Sequence, residues 1–337
     1  MKKYIILFTH NDLDGVFCGV LANLSYGTYG DAEVIIYYCG YADINEKVTK
    51  FINEDLKKLT GDIQIYITDI SVKPETAELI DKVNGRVLNT QMVNVKLLDH
   101  HGNDETLALN KYDWATVETQ MTYDKSRKTS GTYMFFEELK DFFEEECNPQ
   151  VVSRIEYFAD MVRRYDTWEW ANSGDDMPNK LNMLLRIFPR RMFVERFSDI
   201  ARYTQEDTAF DELESTLIEI DEEKRKTHIK NKLKEVELIT VDEKCAAVVI
   251  SEDYINDLAH EMCAVHKNAE FAVVVTPKAF SFRTDGKTDV SEIARKFGGN
   301  GHKAAAGAPI PPDVRRDMLK DLFFMAKEEI SNETSME

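Results

Sequence analysis

Short apolar runs recur through the first hundred residues, each closed by polar or glycine positions. Those at 4–8, 34–38, 63–68 and 93–98 are rich in β-branched and aromatic side chains. Their length and boundaries predict buried strands rather than pieces of helix. Between them, residues 14–24, 44–58 and 74–83 carry apolar positions at helical spacing, and Pro74 falls near the start of the third, where its missing N–H costs little. Strand alternating with helix predicts an α/β fold, a mostly parallel sheet with helices on both faces. Right-handed crossovers then gather the strand ends along one edge.

Beyond residue 130 the pattern turns helical, over 130–146 and 151–165. The second stretch runs into Tyr165-Asp166-Thr167-Trp168-Glu169-Trp170, whose tryptophans read as packing groups. Residues 201–236 are highly charged, with Leu213, Leu217, Ile220, Ile229 and Leu233 at helical spacing, a structural connector. A second α/β unit starts near 239, with strands at 246–250, 271–276 and 280–283 and helices at 254–266 and 289–297. Residues 298–302 read as a glycine-rich turn and 304–307 as a close-packed helix or turn after it. A terminal helix follows at 315–330. The expected division is a catalytic domain over 1–200, a connector over 201–238, a smaller α/β domain over 239–330 and a flexible tail over 331–337.

Charge narrows the partners. The chain has 337 residues, 61 acidic against 42 basic, for a formal net charge of −19. That argues against a broad basic groove for long duplex DNA, while leaving room for a small phosphate ester held by metals and a few local cations. The five cysteines form no CxxC pair and read as free thiols in a reducing compartment. With no signal-peptide pattern and no apolar stretch long enough to span a bilayer, a cytoplasmic protein is expected.

The chemistry gathers where strands run out. His10-Asn11-Asp12-Leu13-Asp14-Gly15 follows the first run, Asp69 the third and Asp99-His100-His101 the fourth. Ligands of open α/β sheets bind outside the carboxyl ends of the strands. Mixed imidazole and carboxylate donors suit Mn²⁺ or another first-row ion better than Mg²⁺. Asp69, alone in its motif, is the candidate to bridge two ions. His10 and Asp12, two residues apart, point to one side of an extended backbone, Asp14 and His100 can approach a second ion, and Gly15 permits a tight turn. Asp99 orients an imidazole or completes a shell; His101 is free to hold a phosphate and stabilise its charge. Each residue alone has a plainer explanation as a turn cap or surface imidazole. Agreement at three strand ends outweighs it.

These motifs resemble those of the DHH-family phosphoesterases, and within them the NrnB-like branch of small oligoribonucleases. His10–Gly15 matches the first motif, Thr68-Asp69 the second, and Leu98-Asp99-His100-His101 the third; Arg127-Lys128-Thr129-Ser130-Gly131-Thr132 resembles the segment after it. Residues 165–170 resemble the branch's fourth motif, and 298–307 the associated DHHA1 motif. The resemblance implies two Mn²⁺ ions, one held by His10, Asp12 and Asp69, the other by Asp14, Asp69, His100 and a fourth-motif carboxylate. Asp166 is assigned that role, with Asp160 as the competing assignment. It also implies that Arg283 and the segment Gly298, Gly299, Asn300, Gly301 and His302 contact substrate, with amide groups of the glycine-rich turn aimed at phosphate. Asn300 departs from the usual glycine there. Ser130 and Thr129 could support phosphate binding or simply cap a helix. The implied activity is two-metal hydrolysis of very short RNA to nucleoside monophosphates, with His101, Asp99 and Asp69 as catalytic residues. The alternatives are a cyclic nucleotide or cyclic dinucleotide phosphodiesterase and a 3′-phosphoadenosine 5′-phosphate phosphatase. A homodimer is compatible with this reading.

Overall fold

The computed structural model describes residues 2–88, 91–203, 209–321 and Phe324. The chain forms two compact units, Met1–Ile218 and Glu219–Glu337. The terminal helix begins at 312, three residues before the expected 315, and is helical through 321; the rest of it apart from Phe324, the 331–337 tail and residues 204–208 of the connector lie outside the described residues.

The first unit is built on strands β1 (Lys3–Thr9), β2 (Glu33–Tyr38), β3 (Asp62–Thr68), β4 (Arg86–Leu88), β5 (Gln91–Asp99) and β6 (Ala115–Val117). They run in the order β2-β1-β3-β5-β4, with β6 also on β5. All pair parallel except β4 with β5. The two three-residue strands β4 and β6 are additions to the expected set, too short to show a period of their own. Register is the feature that matters. Thr9 pairs with Thr68, and Thr68 with Leu98. The residues that follow these three, His10, Asp69 and Asp99, therefore emerge along one edge.

Alternation along the strands splits the core in two. Ile5, Leu7, Tyr66 and Leu98 face α1 (Leu13–Ala22), α4 (Gly131–Glu146), α5 (Pro149–Asp166), α6 (Met177–Ile187) and α7 (Arg190–Ser198). Tyr4, Ile6, Phe8, Ile63, Ile65, Ile67, Val93, Val95 and Leu97 face the opposite layer, which includes α2 (Ile44–Lys50) and α3 (Pro74–Val83). Two expected helices are not uniform. The first passes after Ala22 into wider turns over Asn23–Tyr29, where the Ser25 hydroxyl donates to the Leu21 carbonyl at 2.8 Å and competes with the regular ladder. The second likewise changes pitch over Phe51–Asp55 and Leu56–Lys58. Helix α8 (Glu212–Lys232) buries Ile218 and the Glu214 carboxylate, which accepts from the Tyr203 hydroxyl at 2.6 Å.

In the second unit β7 (Glu237–Val241), β8 (Lys244–Ile250), β9 (Phe271–Val275), β10 (Ala279–Arg283), β11 (Asn300–His302) and β12 (Ala305–Pro309) form one sheet. Its order is β11-β12-β10-β9-β8-β7, and only β8 and β9 pair parallel. Helices α9 (Ile255–Val265) and α10 (Val290–Lys296) cover its two faces. Of the helix or turn expected at 304–307, Ala304 is turn and the residues from Ala305 are strand. Ala306 and Ala308 alternate into the core, and a Cβ at Gly301 would stand 2.4 Å from the Ala306 Cα. Glycine against alanine is what lets β11 and β12 approach. No helix among the described residues is long and apolar enough to cross a membrane.

The fold rests heavily on packed rings. Phe158, fully buried, lies 6.1 Å from Phe17, 5.5 Å from Phe197 and 5.2 Å from Tyr203 between centroids. Phe158→Ala is expected to destabilise the first unit by about 3–5 kcal/mol. Trp114, Trp168 and Trp170 all lie in that unit, so tryptophan fluorescence in a denaturant titration reads it selectively.

Candidate metal centre

The turn from β1 into α1 sets the first part of the site. Asp12 caps the helix, one carboxylate oxygen accepting from the Gly15 amide at 3.1 Å, and its other oxygen lies 2.7 Å from His10 Nδ1. A Cβ on Gly15 would fall 2.3 Å from the His10 carbonyl oxygen, so the tight turn requires glycine. His10, Asp12 and Asp69 bring one ligand atom each within 4.8 Å of one another; so do Asp69, His100 and His101, and so do Asp14, His100 and Asp166. Asp69 belongs to two of these groups, and His100 also to two.

Asp69 is held in an unusual state. Its backbone is left-handed, at φ 60°, and its side chain is almost wholly buried. Its Oδ1 lies 3.1 Å from His100 Nε2, while Oδ2 accepts no hydrogen bond. Burial, then the charges of Asp14 and Asp12, push this carboxyl well above the usual range. Asp166 is pushed up to about 7, again by burial first and then by Asp14 and Asp12. Burial lowers His100. Buried carboxylates without cationic partners are costly. An orphaned buried oxygen amid carboxylates and imidazoles is a donor set that fits divalent metal ions.

Asp14 is fixed from a distance. Its two oxygens accept from the amides of Gly131 at 2.6 Å and Thr132 at 2.9 Å, the first residues of α4, and the Thr132 hydroxyl donates to its carbonyl at 2.5 Å. A helix N-terminus thus receives the carboxylate. Asp99 stands in none of the three groups. It accepts from the amides of His100 at 2.8 Å and His101 at 3.3 Å and from Ser71 Oγ at 2.5 Å, and lies 2.8 Å from His101 Nδ1. Of the two roles open to it, the geometry is that of an imidazole orienter. Against the opposing effect of burial, this contact and the Asp99 charge raise His101.

The structure brings Asp166 to the cluster, 3.5 Å from His100 Nε2. Asp160 is engaged elsewhere, by Arg163 Nε at 2.8 Å, Arg164 Nε at 3.1 Å and Arg127 Nη2 at 3.3 Å. The fully buried Arg163 also donates to Glu169 at 2.7 Å and to the Lys128 carbonyl at 3.0 Å. It thereby ties the end of α5, which carries Asp166, to the segment leading into Gly131. Trp168 corrects the packing expectation. It adopts φ 61° between Asp166 and Glu169 and stands 67% exposed.

Ser130 is fully buried and caps α4, accepting from the Tyr133 amide at 3.3 Å. The structure therefore shows it as the cap of that helix, inside the scaffold. In the second unit the expected open amide nest does not form. The Gly298 and Gly299 amides donate to the Arg295 and Ala294 carbonyls at 3.1 and 2.8 Å, closing the end of α10, and the Gly301 amide donates to Asn300 Oδ1 at 2.8 Å. Arg283 pairs with Ala305, and Ala305 with His302. Cross-strand partners share a face, so Arg283 and His302 stand on one face either side of a small alanine, the guanidinium donating to Asn256 Oδ1 at 2.6 Å.

Sequence reasoning missed the amides of Gly131 and Thr132, the Ser71 contact and the arginine brace. Apart from the contacts of Arg163 with Asp160 and Glu169, these are approaches between distant segments. A Cβ at Gly131 would lie 2.4 Å from the Asp69 Cβ and 2.7 Å from its Cα. Gly131→Ala is therefore expected to displace both Asp69 and the amides on Asp14, weakening Mn²⁺ binding roughly 10- to 100-fold in isothermal titration calorimetry.

No family model matches the chain. It is 30% identical over 328 residues to oligoribonuclease NrnB of Bacillus subtilis, covering 94% of this chain and 75% of that one. It is 21% identical over 334 residues to a 3′,5′-cyclic-nucleotide phosphodiesterase of Helicobacter pylori, covering 90% and 91%. Two solved structures share the fold. A DHH domain assigned to a family of ribosomal proteins superposes with a TM-score of 0.56 at 14% identity, covering 97% of this chain and 86% of its own. RecJ of Thermus thermophilus in complex with Mn²⁺ gives 0.53 at 14% identity, covering 96% and 52%. With a 30% identical relative matched along most of its length and a set of possible metal ligands gathered at one sheet edge, this chain belongs to the DHH/DHHA1 family of metal-dependent phosphoesterases.

Proposed function

We propose that the protein hydrolyses very short RNA oligonucleotides to nucleoside monophosphates with two divalent ions, Mn²⁺ by preference. The observation that carries the two-ion reading is Asp69, shared by two ligand groups and holding a buried oxygen that accepts no hydrogen bond. His10, Asp12 and Asp69 would hold one ion, and Asp14, Asp69, His100 and Asp166 the other. Divalent ions at such a pair of sites supply Lewis acidity toward phosphate oxygens and lower the pKa of water.

The protein's own groups do the rest. His101, aimed by Asp99, meets the phosphate and offsets the charge that grows on its oxygens. Helix α4 keeps Asp14 in place, and Arg163 keeps Asp166 in reach. Arg283 and His302 would take a terminal phosphate or base from the second unit, with Gly298, Gly299, Asn300 and Gly301 shaping the hairpin that presents His302. Identity to an oligoribonuclease over most of both chains supports RNA as substrate. The net charge of −19 favours a small substrate over long duplex DNA. Similarity to a cyclic-nucleotide phosphodiesterase supports a second reading on the same centre.

A time course with a 5′-labelled RNA trinucleotide separates the two. Wild-type protein with Mn²⁺ is expected to give mononucleotides, and Asp69→Ala to give no detectable turnover. A 3′,5′-cyclic nucleotide, a cyclic dinucleotide and 3′-phosphoadenosine 5′-phosphate run at equal concentration; faster turnover of any of these sinks the RNA assignment and leaves the metal chemistry standing. Removal of metal by a chelator should abolish the reaction, and calorimetry on the stripped protein should return two Mn²⁺ per chain.

A further inference from the structure

Tyr41 belongs to none of the motifs, yet it stands at the metal centre. It follows β2 in the turn at 41–43, which brings it to the same sheet edge as the ligands. That turn is fixed: the Cys39 amide donates to the Thr9 carbonyl at 2.8 Å, the Gly40 amide to Asp43 Oδ1 at 2.8 Å, and the Ile44 amide to the Gly40 carbonyl at 3.1 Å. The ring centroid lies 5.2 Å from that of His10 and 6.1 Å, edge-on, from that of His101. Its hydroxyl is 3.3 Å from His101 Nε2.

Packing does not account for this residue, which is 60% exposed. Nor does support of His101, which Asp99 already holds through Nδ1 at 2.8 Å, while a 3.3 Å contact to a ring nitrogen is long for a hydroxyl. An O–H carried on a fixed turn beside the outward nitrogen of His101 is suited to a second acceptor arriving at the same spot. We infer that Tyr41 is a further substrate-binding residue, its hydroxyl donating to a non-bridging oxygen of the phosphate that His101 meets. This rests on the proposed role of His101. On binding, the hydroxyl exchanges a long contact with a ring nitrogen for a shorter, charge-assisted one with phosphate.

The test compares wild type, Tyr41→Phe, His101→Ala and the double variant, all loaded with Mn²⁺, in two assays. One is kcat/KM on the RNA trinucleotide; the other is calorimetric binding of inorganic phosphate. Tyr41→Phe keeps the ring and should leave Mn²⁺ affinity unchanged while lowering kcat/KM and phosphate affinity roughly 10- to 100-fold. Phosphate affinity should fall again when Tyr41→Phe is added to His101→Ala. Wild-type values for Tyr41→Phe in the phosphate assay would overturn the inference. So would the absence of a further fall in the His101→Ala background, which would reduce Tyr41 to a support for the imidazole. If wild-type protein leaves the trinucleotide intact, the RNA reading fails on its own, and the phosphate assay still decides Tyr41.

Discussion

Everything at the sheet edge depends on one row of backbone pairing. Because Thr9, Thr68 and Leu98 are aligned across β1, β3 and β5, each chain leaves the sheet at the same level. A slip of a single residue in any strand would turn its apolar side chains to the opposite layer, and would carry its polar terminus out of the cluster as well. The hydrophobic pattern that selects the register therefore also aims the ligands. Core and chemistry are specified by the same alternation.

Holding that cluster together goes against electrostatics. Asp12, Asp14, Asp69 and Asp166 converge on three imidazoles, and the Asp69 and Asp166 carboxyls are raised by burial first and then by the charges of Asp14 and Asp12. The scaffold offsets this without placing a lysine or arginine among the ligands. Asp14 receives the amides that open α4, and Asp99 receives two amides and a hydroxyl. The arginines stay one layer back, on Asp160 and Glu169. The centre keeps its negative potential, which is what a cation requires.

What could be read from the sequence was whatever is local. Four of the strands announce themselves by length and β-branching, and for three of them the terminal His and Asp residues stand next to them in the chain. The choice between Asp160 and Asp166 could not be read, because it turns on where α5 ends and on Arg127 and Arg163 claiming the former. The hairpin of β11 and β12 was obscured by its composition, since alanine and glycine carry no strand signature and the pairing is made by close approach. Tyr41 and Gly131 owe their places to segments many residues away.

The bond between Asp14 and the first amides of α4 has a consequence for how such a protein can change. A ligand that serves only its ion can be lost, leaving an inert but intact relative. Here the same carboxylate occupies the N-terminus of a helix whose Phe135, Phe136, Leu139 and Phe143 lie in the main core. Replacing it leaves the Gly131 and Thr132 amides without their acceptor and Ser130 as the remaining side-chain cap at that end. Drift toward a folded, catalytically silent descendant therefore costs the scaffold something at position 14, where a purely ion-serving side chain would be lost freely.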